Sequence, residues 1–164
     1  EALTITGGEP TIQDDLTLFI RHVRDMGYLI KIDTNGSKPE VLEELIHNKL
    51  VDYFAMDIKA PLRKYGAVTR APVKEETIRR SIEMIMSSGI DYEFRTTVVK
   101  SQLKESDLLK MGNLIKGAPI YALQRYVPAK PLDKKFLTET TFRQEELDAI
   151  RIKLEENIGK VVIR

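Results

Sequence analysis

The sequence contains no cysteine and no tryptophan, and the lack of cysteine excludes several kinds of chemistry from its 164 residues. Without thiolates these residues can form no disulfide, no cysteine-ligated zinc site and no cysteine nucleophile, and they cannot ligate an iron–sulfur cluster through sulfur. The sequence also lacks any apolar run of the ~20 residues that a membrane helix needs, and no signal-peptide pattern opens it. We therefore expect no membrane partner, and we expect the protein to be cytoplasmic.

An excess of charge of one sign is also missing, because 26 Lys and Arg residues face 25 Asp and Glu residues, for a formal net charge of +1. A protein that binds nucleic acid by bulk charge carries a strongly basic face, so we expect no nucleic-acid partner. Apolar residues make up 42% of the chain, enough for a core. With no linker or internal repeat, we predict one domain over residues 1–164.

The chain begins at Glu1 instead of Met, and it is already inside an apolar run at that point. We therefore expect an N-terminally truncated chain.

Short β-type runs alternate with amphipathic segments along the whole chain. The runs are rich in β-branched and aromatic residues, as strands covered on both faces are: Ala2–Thr6, Leu29–Thr34, Tyr53–Ile58, Tyr92–Val99, Ile120–Tyr126 and Val161–Ile163. Between them, apolar residues at helical spacing predict five helices, the first with a stripe from Ile12 to Val23 and a core-filling Met26 at its end. Strand–helix alternation favours right-handed βαβ units and a parallel sheet. The pattern alone leaves open whether that sheet is flat or curled into a barrel.

Polar residues follow the first two predicted strands, and ligands of parallel α/β proteins bind at this end of the strands. After the first strand, Gly7 and Gly8 allow backbone to approach a ligand closely, and Glu9 adds a carboxylate beside the start of a helix. A plain turn in which the helix dipole stabilises Glu9 is an equal alternative. After the second strand, Asp33 and Thr34 supply oxygen atoms, and Pro39 opens a helix where a hairpin would need a strand.

The third strand ends at Asp57 and Lys59, which are two residues apart and would share a face of a strand. Asp33 and Asp57, at neighbouring strand ends, are suitable hard oxygen ligands for a cation. Lys59 could pair with a carboxylate or phosphate of a bound molecule, and an ion pair between Asp57 and Lys59 is the structural alternative.

The fourth and fifth predicted strands also carry polar groups. Arg95 and Thr97 share one face, and a buried Arg95 needs an anion, which is either Glu93 or a ligand. Gln124 and Tyr126 suit a planar heterocycle by hydrogen bonding and stacking, although an ordinary exit from a strand has the same composition.

In this order, the strand ends resemble the radical S-adenosylmethionine (SAM) superfamily from Leu3 to about Pro131. Within that superfamily, the motif sequences are most similar to those of the activating enzymes of glycyl radical enzymes, and among them to the anaerobic ribonucleoside-triphosphate reductase activating proteins. The segments that carry it are TGGEPT, KIDTNGSKPEVLEEL, VDYFAMDIKAP, DYEFRTTVV and YALQRYVPAKPLD. The resemblance implies an α/β fold, a partial TIM-like (β/α)6 barrel of parallel strands that lacks its first strand and its cluster loop.

The resemblance also implies residue roles. The segment Gly7, Gly8 and Glu9 matches the one that receives the amino group of SAM, a charge-assisted contact. Further residues match cofactor-binding positions: Asp33, Thr34, Asn35, Lys59, Arg95, Thr97, Gln124 and Tyr126. In relatives, the residues matching Asp33, Thr34 and Asp57 bind a cation, here expected to be monovalent, beside the SAM carboxylate.

The implied activity is that of an anaerobic oxidoreductase. Full-length relatives cleave SAM reductively on a [4Fe–4S] cluster held by a CxxxCxxC loop and generate a glycyl radical on a partner such as anaerobic ribonucleotide reductase. A flavodoxin or ferredoxin is the expected electron donor. This sequence has no such loop, so we predict that it keeps most of the SAM pocket but is inactive alone and has no catalytic residue of its own. The alternatives are a cluster-less binding module, a radical SAM enzyme for a small molecule, and an unrelated α/β enzyme.

Overall fold

The computed structural model describes residues 1–129 and 133–164. Within these residues the structure has six strands and six α-helices, and α3 and α4 follow each other without a strand between them. In chain order the elements are β1 (Ala2–Ile5), α1 (Leu16–Asp25), β2 (Leu29–Thr34), α2 (Pro39–His47), β3 (Tyr53–Asp57), α3 (Tyr65–Thr69), α4 (Glu75–Ser87), β4 (Asp91–Val98), α5 (Glu105–Leu114), β5 (Ile120–Arg125), α6 (Gln144–Leu154) and β6 (Lys160–Ile163). Three 3₁₀ helices cover Pro10–Ile12, Leu62–Lys64 and Lys134–Thr138. Pro131, near the end of the family resemblance, lies outside the described residues.

The chain divides into two compact units, each of which we describe separately. Unit 1 comprises Glu1–Asp57 and Ala71–Glu93, and unit 2 comprises Ile58–Arg70 and Phe94–Arg164. The prediction of a single domain over residues 1–164 stays a prediction.

Unit 1 is built on the parallel strands β1, β2 and β3, in chain order. Along β2 the buried residues Ile30 and Ile32 alternate with the half-buried Lys31 and Asp33, as a strand with two different faces requires. The apolar stripes of α1, α2 and α4 are buried in the same unit. One face of β2 is therefore buried and mainly apolar, and the other carries charge.

Unit 2 holds the parallel pairs β4–β5 and β5–β6, together with α3, α5 and α6. Its core includes Phe94, Tyr121 and Leu147, all fully buried. The Tyr121 hydroxyl is hydrogen-bonded to the Thr96 hydroxyl at 2.7 Å. Burial, the largest effect, raises the pKa of Tyr121 well above its ordinary value.

The predicted strands differ from the observed ones by at most one residue at either end. Two details of the first helix are wrong. Ile12 belongs to a 3₁₀ turn and is 56% exposed, and Met26 is 70% exposed and does not fill the core. The short helix α3 and the 3₁₀ helices were not predicted. In the part of the chain that is described, no helix is long and apolar enough to cross a membrane.

Candidate functional site

The turn after β1 leaves open space beside its backbone. Gly7 and Gly8 have φ of +95° and +49°, in the left-handed region that favours glycine. A Cβ placed on either residue would meet no atom within 4 Å. The peptide groups of this turn are therefore approachable, as close contact with a ligand would require.

Glu9 follows the glycines, and its carboxylate joins this turn to the turn after β2. Its Oε1 accepts hydrogen bonds from the hydroxyls of Thr11 and Thr34, at 2.6 and 2.8 Å, and from the Thr11 N–H at 3.3 Å. Its Oε2 accepts the Asn35 N–H at 2.6 Å. Glu9 also caps the 3₁₀ helix Pro10–Ile12. These contacts support the alternative that Glu9 has a structural role in its turn. They also show that its carboxylate connects the ends of two strands.

The turn from Asp33 to Ser37 is closed by hydrogen bonds of its own. The Thr34 hydroxyl, which donates to Glu9, accepts the Gly36 N–H at 3.1 Å, and the Asn35 side chain accepts the Ser37 N–H at 2.9 Å. From α4, the buried Ser81 hydroxyl donates to the Gly36 carbonyl at 2.7 Å. Ser81 was missed in the sequence, although a serine inside the apolar stripe of a helix is the signal that could have revealed it.

Asp33 and Asp57 lie on the same face of neighbouring strands. Asp33 is in register with Ala55 and Thr34 with Met56, so Asp57 is two positions beyond the partner of Asp33. The side chain of Thr34 belongs to the opposite face, and its hydroxyl is bound to Glu9 and Gly36. No group of three or more His, Cys, Asp or Glu residues suited to a metal ion occurs among the described residues. The cation site stays a prediction.

A charged group that the sequence did not reveal lies on the same face as Asp33. The Lys31 ammonium is 3.7 Å from the Asp33 carboxylate and 3.8 Å from the Glu93 carboxylate. It also lies over the Tyr53 ring, 5.5 Å from its centroid. The Glu93 side chain is only 3% exposed, and such a buried carboxylate needs a cation. Lys31 is one cation close enough to contribute that charge, and the pairing of Glu93 with Arg95 that the sequence suggests stays a prediction.

The remaining predicted residues belong to unit 2. Thr97 and Gln124 are directly opposite each other on β4 and β5, so the structure brings these two together. Lys59 lies two residues beyond Asp57, where β3 ends, and the expectation that the two side chains share a face stays a prediction. The Lys59 N–H donates to the Tyr65 hydroxyl at 3.3 Å. The Arg95 carbonyl accepts the Ile58 N–H at 2.8 Å.

Tyr126 lies just beyond β5, and its polar group is used within unit 2. Its hydroxyl donates to the Phe136 carbonyl at 2.9 Å, and the two rings pack edge to face with centroids 6.2 Å apart. Arg70 lies over the other ring, 5.9 Å from the Phe136 centroid, and pairs with Asp133 at 2.8 Å. The stacking of Tyr126 on a heterocycle stays a prediction.

Comparison with known proteins assigns the chain to a family. The family model of the radical SAM superfamily matches residues 1–113. A Methanocaldococcus jannaschii protein, provisionally named a glycyl-radical enzyme activating enzyme, is 35% identical over 169 residues, which cover 100% of this chain and 70% of that protein. The chain belongs to the radical SAM superfamily, and it is similar to activating enzymes of glycyl radical enzymes within it.

Solved structures show the same fold. A domain of a pyruvate-formate lyase-activating enzyme from Bacteroides vulgatus matches with a TM-score of 0.75 and 18% identity, covering 99% of this chain and 98% of that one. Streptococcus suis SuiB bound to S-adenosylmethionine matches with a TM-score of 0.75 and 11% identity, over 99% of this chain and 39% of that one. The expected α/β fold of six parallel strands, resembling a partial TIM-like radical SAM barrel, is confirmed.

Proposed function

We propose that this chain carries SAM-binding segments of a glycyl-radical enzyme activating enzyme. The observation that supports this most is the hydrogen-bond network of Glu9, which joins the two strand-end turns that match family motifs. The family assignment and the similarity to the M. jannaschii protein give the class of reaction. The residues that we propose for the cofactor are those predicted from the sequence.

The chemistry of unit 1 fits the amino acid part of SAM. An ammonium group needs carbonyl and carboxylate acceptors, and the open turn at Gly7 and Gly8 can offer its carbonyl groups beside Glu9. Asp33 and Asp57 add carboxylates on one strand face, where they can attract a cation. When bound in radical SAM enzymes, SAM supplies a 5′-deoxyadenosyl radical after reductive cleavage. The proposed task of these residues is to bind and orient the cofactor.

The family implies a [4Fe–4S] cluster, but the residues present do not fit one. The 164 residues contain no cysteine, so they supply none of the thiolate ligands that the cluster needs. We therefore propose that the chain alone does not cleave SAM. Incubation with iron, sulfide, dithionite and SAM should yield no 5′-deoxyadenosine above the protein-free control, and clear formation of that product would contradict the proposal.

SAM binding tests the proposed function directly. In a calorimetric titration at millimolar SAM we expect measurable binding by the unaltered chain. Asp57→Ala should weaken binding about fivefold, roughly the effect of one lost polar contact. Asp14→Ala, a control at an exposed turn residue of unit 1, should not change it. Absence of binding, or equal binding by all three proteins, would contradict the function.

The partner that we propose is a glycyl radical enzyme, with anaerobic ribonucleotide reductase as the first candidate and a flavodoxin or ferredoxin as electron donor. The name of the M. jannaschii relative supports a glycyl radical enzyme as the partner. The cytoplasmic location belongs to the same proposal. Co-elution of the chain with anaerobic ribonucleotide reductase in size-exclusion chromatography would support this partner, and separate elution at tens of micromolar protein, well above a typical micromolar dissociation constant, would count against it.

A further inference from the structure

Ser81 is a hydroxyl-bearing residue in the apolar stripe of α4. It is fully buried, and its neighbours Ile78, Ile82 and Ile85 on the same helix are buried with it. A hydroxyl in such surroundings is costly unless it makes a hydrogen bond. Its donor group satisfies that need outside the helix, at the Gly36 carbonyl, 2.7 Å away. The bond joins residues 45 positions apart in the sequence, so it fixes a turn against a helix.

The contact between α4 and the turn has room only for small residues. Gly36 has φ +72°, and a Cβ there would lie 3.2 Å from the Ser81 Cβ and 2.1 Å from the Met56 methyl group. The Met56 methyl could rotate, but the residue is fully buried, so the space around it is limited. The turn therefore approaches the helix closely because residue 36 is glycine and residue 81 is small.

The Ser81 bond continues into the Glu9 network. Gly36, whose carbonyl accepts the Ser81 hydroxyl, donates its N–H to the Thr34 hydroxyl, and Thr34 donates in turn to Glu9. Asn35, between them, donates its N–H to the other Glu9 oxygen at 2.6 Å. A turn that moves away from α4 would move Thr34 and Asn35 relative to the carboxylate.

We propose that Ser81 is a positioning residue, which holds the Asp33–Ser37 turn so that Thr34 and Asn35 remain on the Glu9 carboxylate. It acts through the turn and not on a ligand. The consequence for ligand binding rests on the proposed function, because it assumes that this turn contacts SAM.

Amide hydrogen exchange tests the positioning role without any ligand. The Asn35 amide donates to Glu9, and the Ile30 amide donates to another carboxylate of unit 1, Asp52, at 2.7 Å. In Ser81→Ala we expect exchange at Asn35 to accelerate about tenfold relative to Ile30, since local opening becomes easier. Ser87→Ala is the matched control, because that hydroxyl bonds to the carbonyl of Glu83 in its own helix. An unchanged Asn35-to-Ile30 ratio in Ser81→Ala would overturn the proposal.

A SAM titration of the same variants tests the consequence for binding. If Ser81→Ala binds SAM about fivefold more weakly and Ser87→Ala binds it as the unaltered chain does, the effect of the turn on SAM binding is supported. Equal affinity despite faster exchange at Asn35 would refute the link between the turn and the ligand. If the unaltered chain does not bind SAM, the proposed function fails, and the exchange ratio alone still decides whether Ser81 positions the turn.

Discussion

Glu9 is the residue on which the two strand-end turns of unit 1 depend. Four donors converge on its two oxygens: two hydroxyls and the N–H groups of Thr11 and Asn35. A carboxylate suits this position because both of its oxygens act only as acceptors. A residue with one donor and one acceptor group cannot satisfy the same set.

Glu9→Gln should therefore destabilise the fold and weaken SAM binding. The amide nitrogen would face an N–H or hydroxyl donor in place of an acceptor, and we expect a loss of about 1–3 kcal/mol in the free energy of unfolding. Chemical denaturation measures this loss. Glu40→Gln on α2, whose side chain is 60% exposed, is the control and should change stability by less than about 0.5 kcal/mol. Equal stability of the two variants would show that Glu9 does not organise the turns.

At the scale of single residues, the sequence predicted the composition of the site better than its contacts. Glu9 and Thr34 could be selected because they follow β-type runs beside glycines. The bond from Ser81 to Gly36 and the proximity of Lys31 to Glu93 could not be predicted, because each joins residues that are distant in the sequence.

At the scale of elements, Asp107 fixes the start of α5. Its carboxylate accepts the Lys104 N–H at 3.0 Å and the Lys64 ammonium at 2.6 Å, so it links the helix to the segment before α3. Burial alone would raise the pKa of Asp107. The hydrogen bonds from Lys64 and Lys104 and the nearby positive charges outweigh burial, and the pKa lies below its ordinary value.

This lowered pKa predicts a pH-dependent contribution to stability. The ionised Asp107 stabilises the fold above the ordinary aspartate pKa of about 4, and the effect is lost as the pH falls through the lower folded value. Asp107→Asn should lower the free energy of unfolding at pH 7 by about 1–2 kcal/mol, because it removes the charge that Lys64 and the Lys104 N–H contact. The loss should be no larger, since Lys64 is partly exposed and solvent screens its attraction. The cost should shrink below about pH 4.

Urea denaturation at pH 7 and pH 3 measures the difference between the Asp107→Asn variant and the unaltered chain. Asp148→Asn on α6 serves as the control, since its ion pair with Arg151 lies at the surface, and little change is expected at either pH. A cost that is equal at both pH values would show that the charge of Asp107 contributes nothing.

Regular elements were predictable where a periodic pattern is long. The strands of this chain follow their β-branched runs, and the main helices follow their apolar stripes. The structure from Pro10 to Leu16 could not be predicted, because a 3₁₀ turn capped by Glu9 interrupts the helical pattern and leaves Ile12 exposed. The five-residue helix α3 is too short to show a stripe.

At the scale of the whole molecule, the fold and the family are established, and the cofactor site is the central proposal. The family model covers residues 1–113, whereas the proposed cofactor residues extend to Tyr126. The proposed cofactor residues from Gly7 to Thr97 therefore have the stronger support. Gln124 and Tyr126 rest on the sequence resemblance and on their place at the end of β5.

Titration of the isotopically labelled chain with SAM, followed by amide NMR, tests this central claim most directly. We predict that the largest shift changes occur at Gly7, Gly8 and Asn35, at the carboxyl ends of β1 and β2. Leu29, at the opposite end of β2, should change little. Changes confined to residues away from the carboxyl ends of the strands, or none at millimolar SAM, would contradict the account.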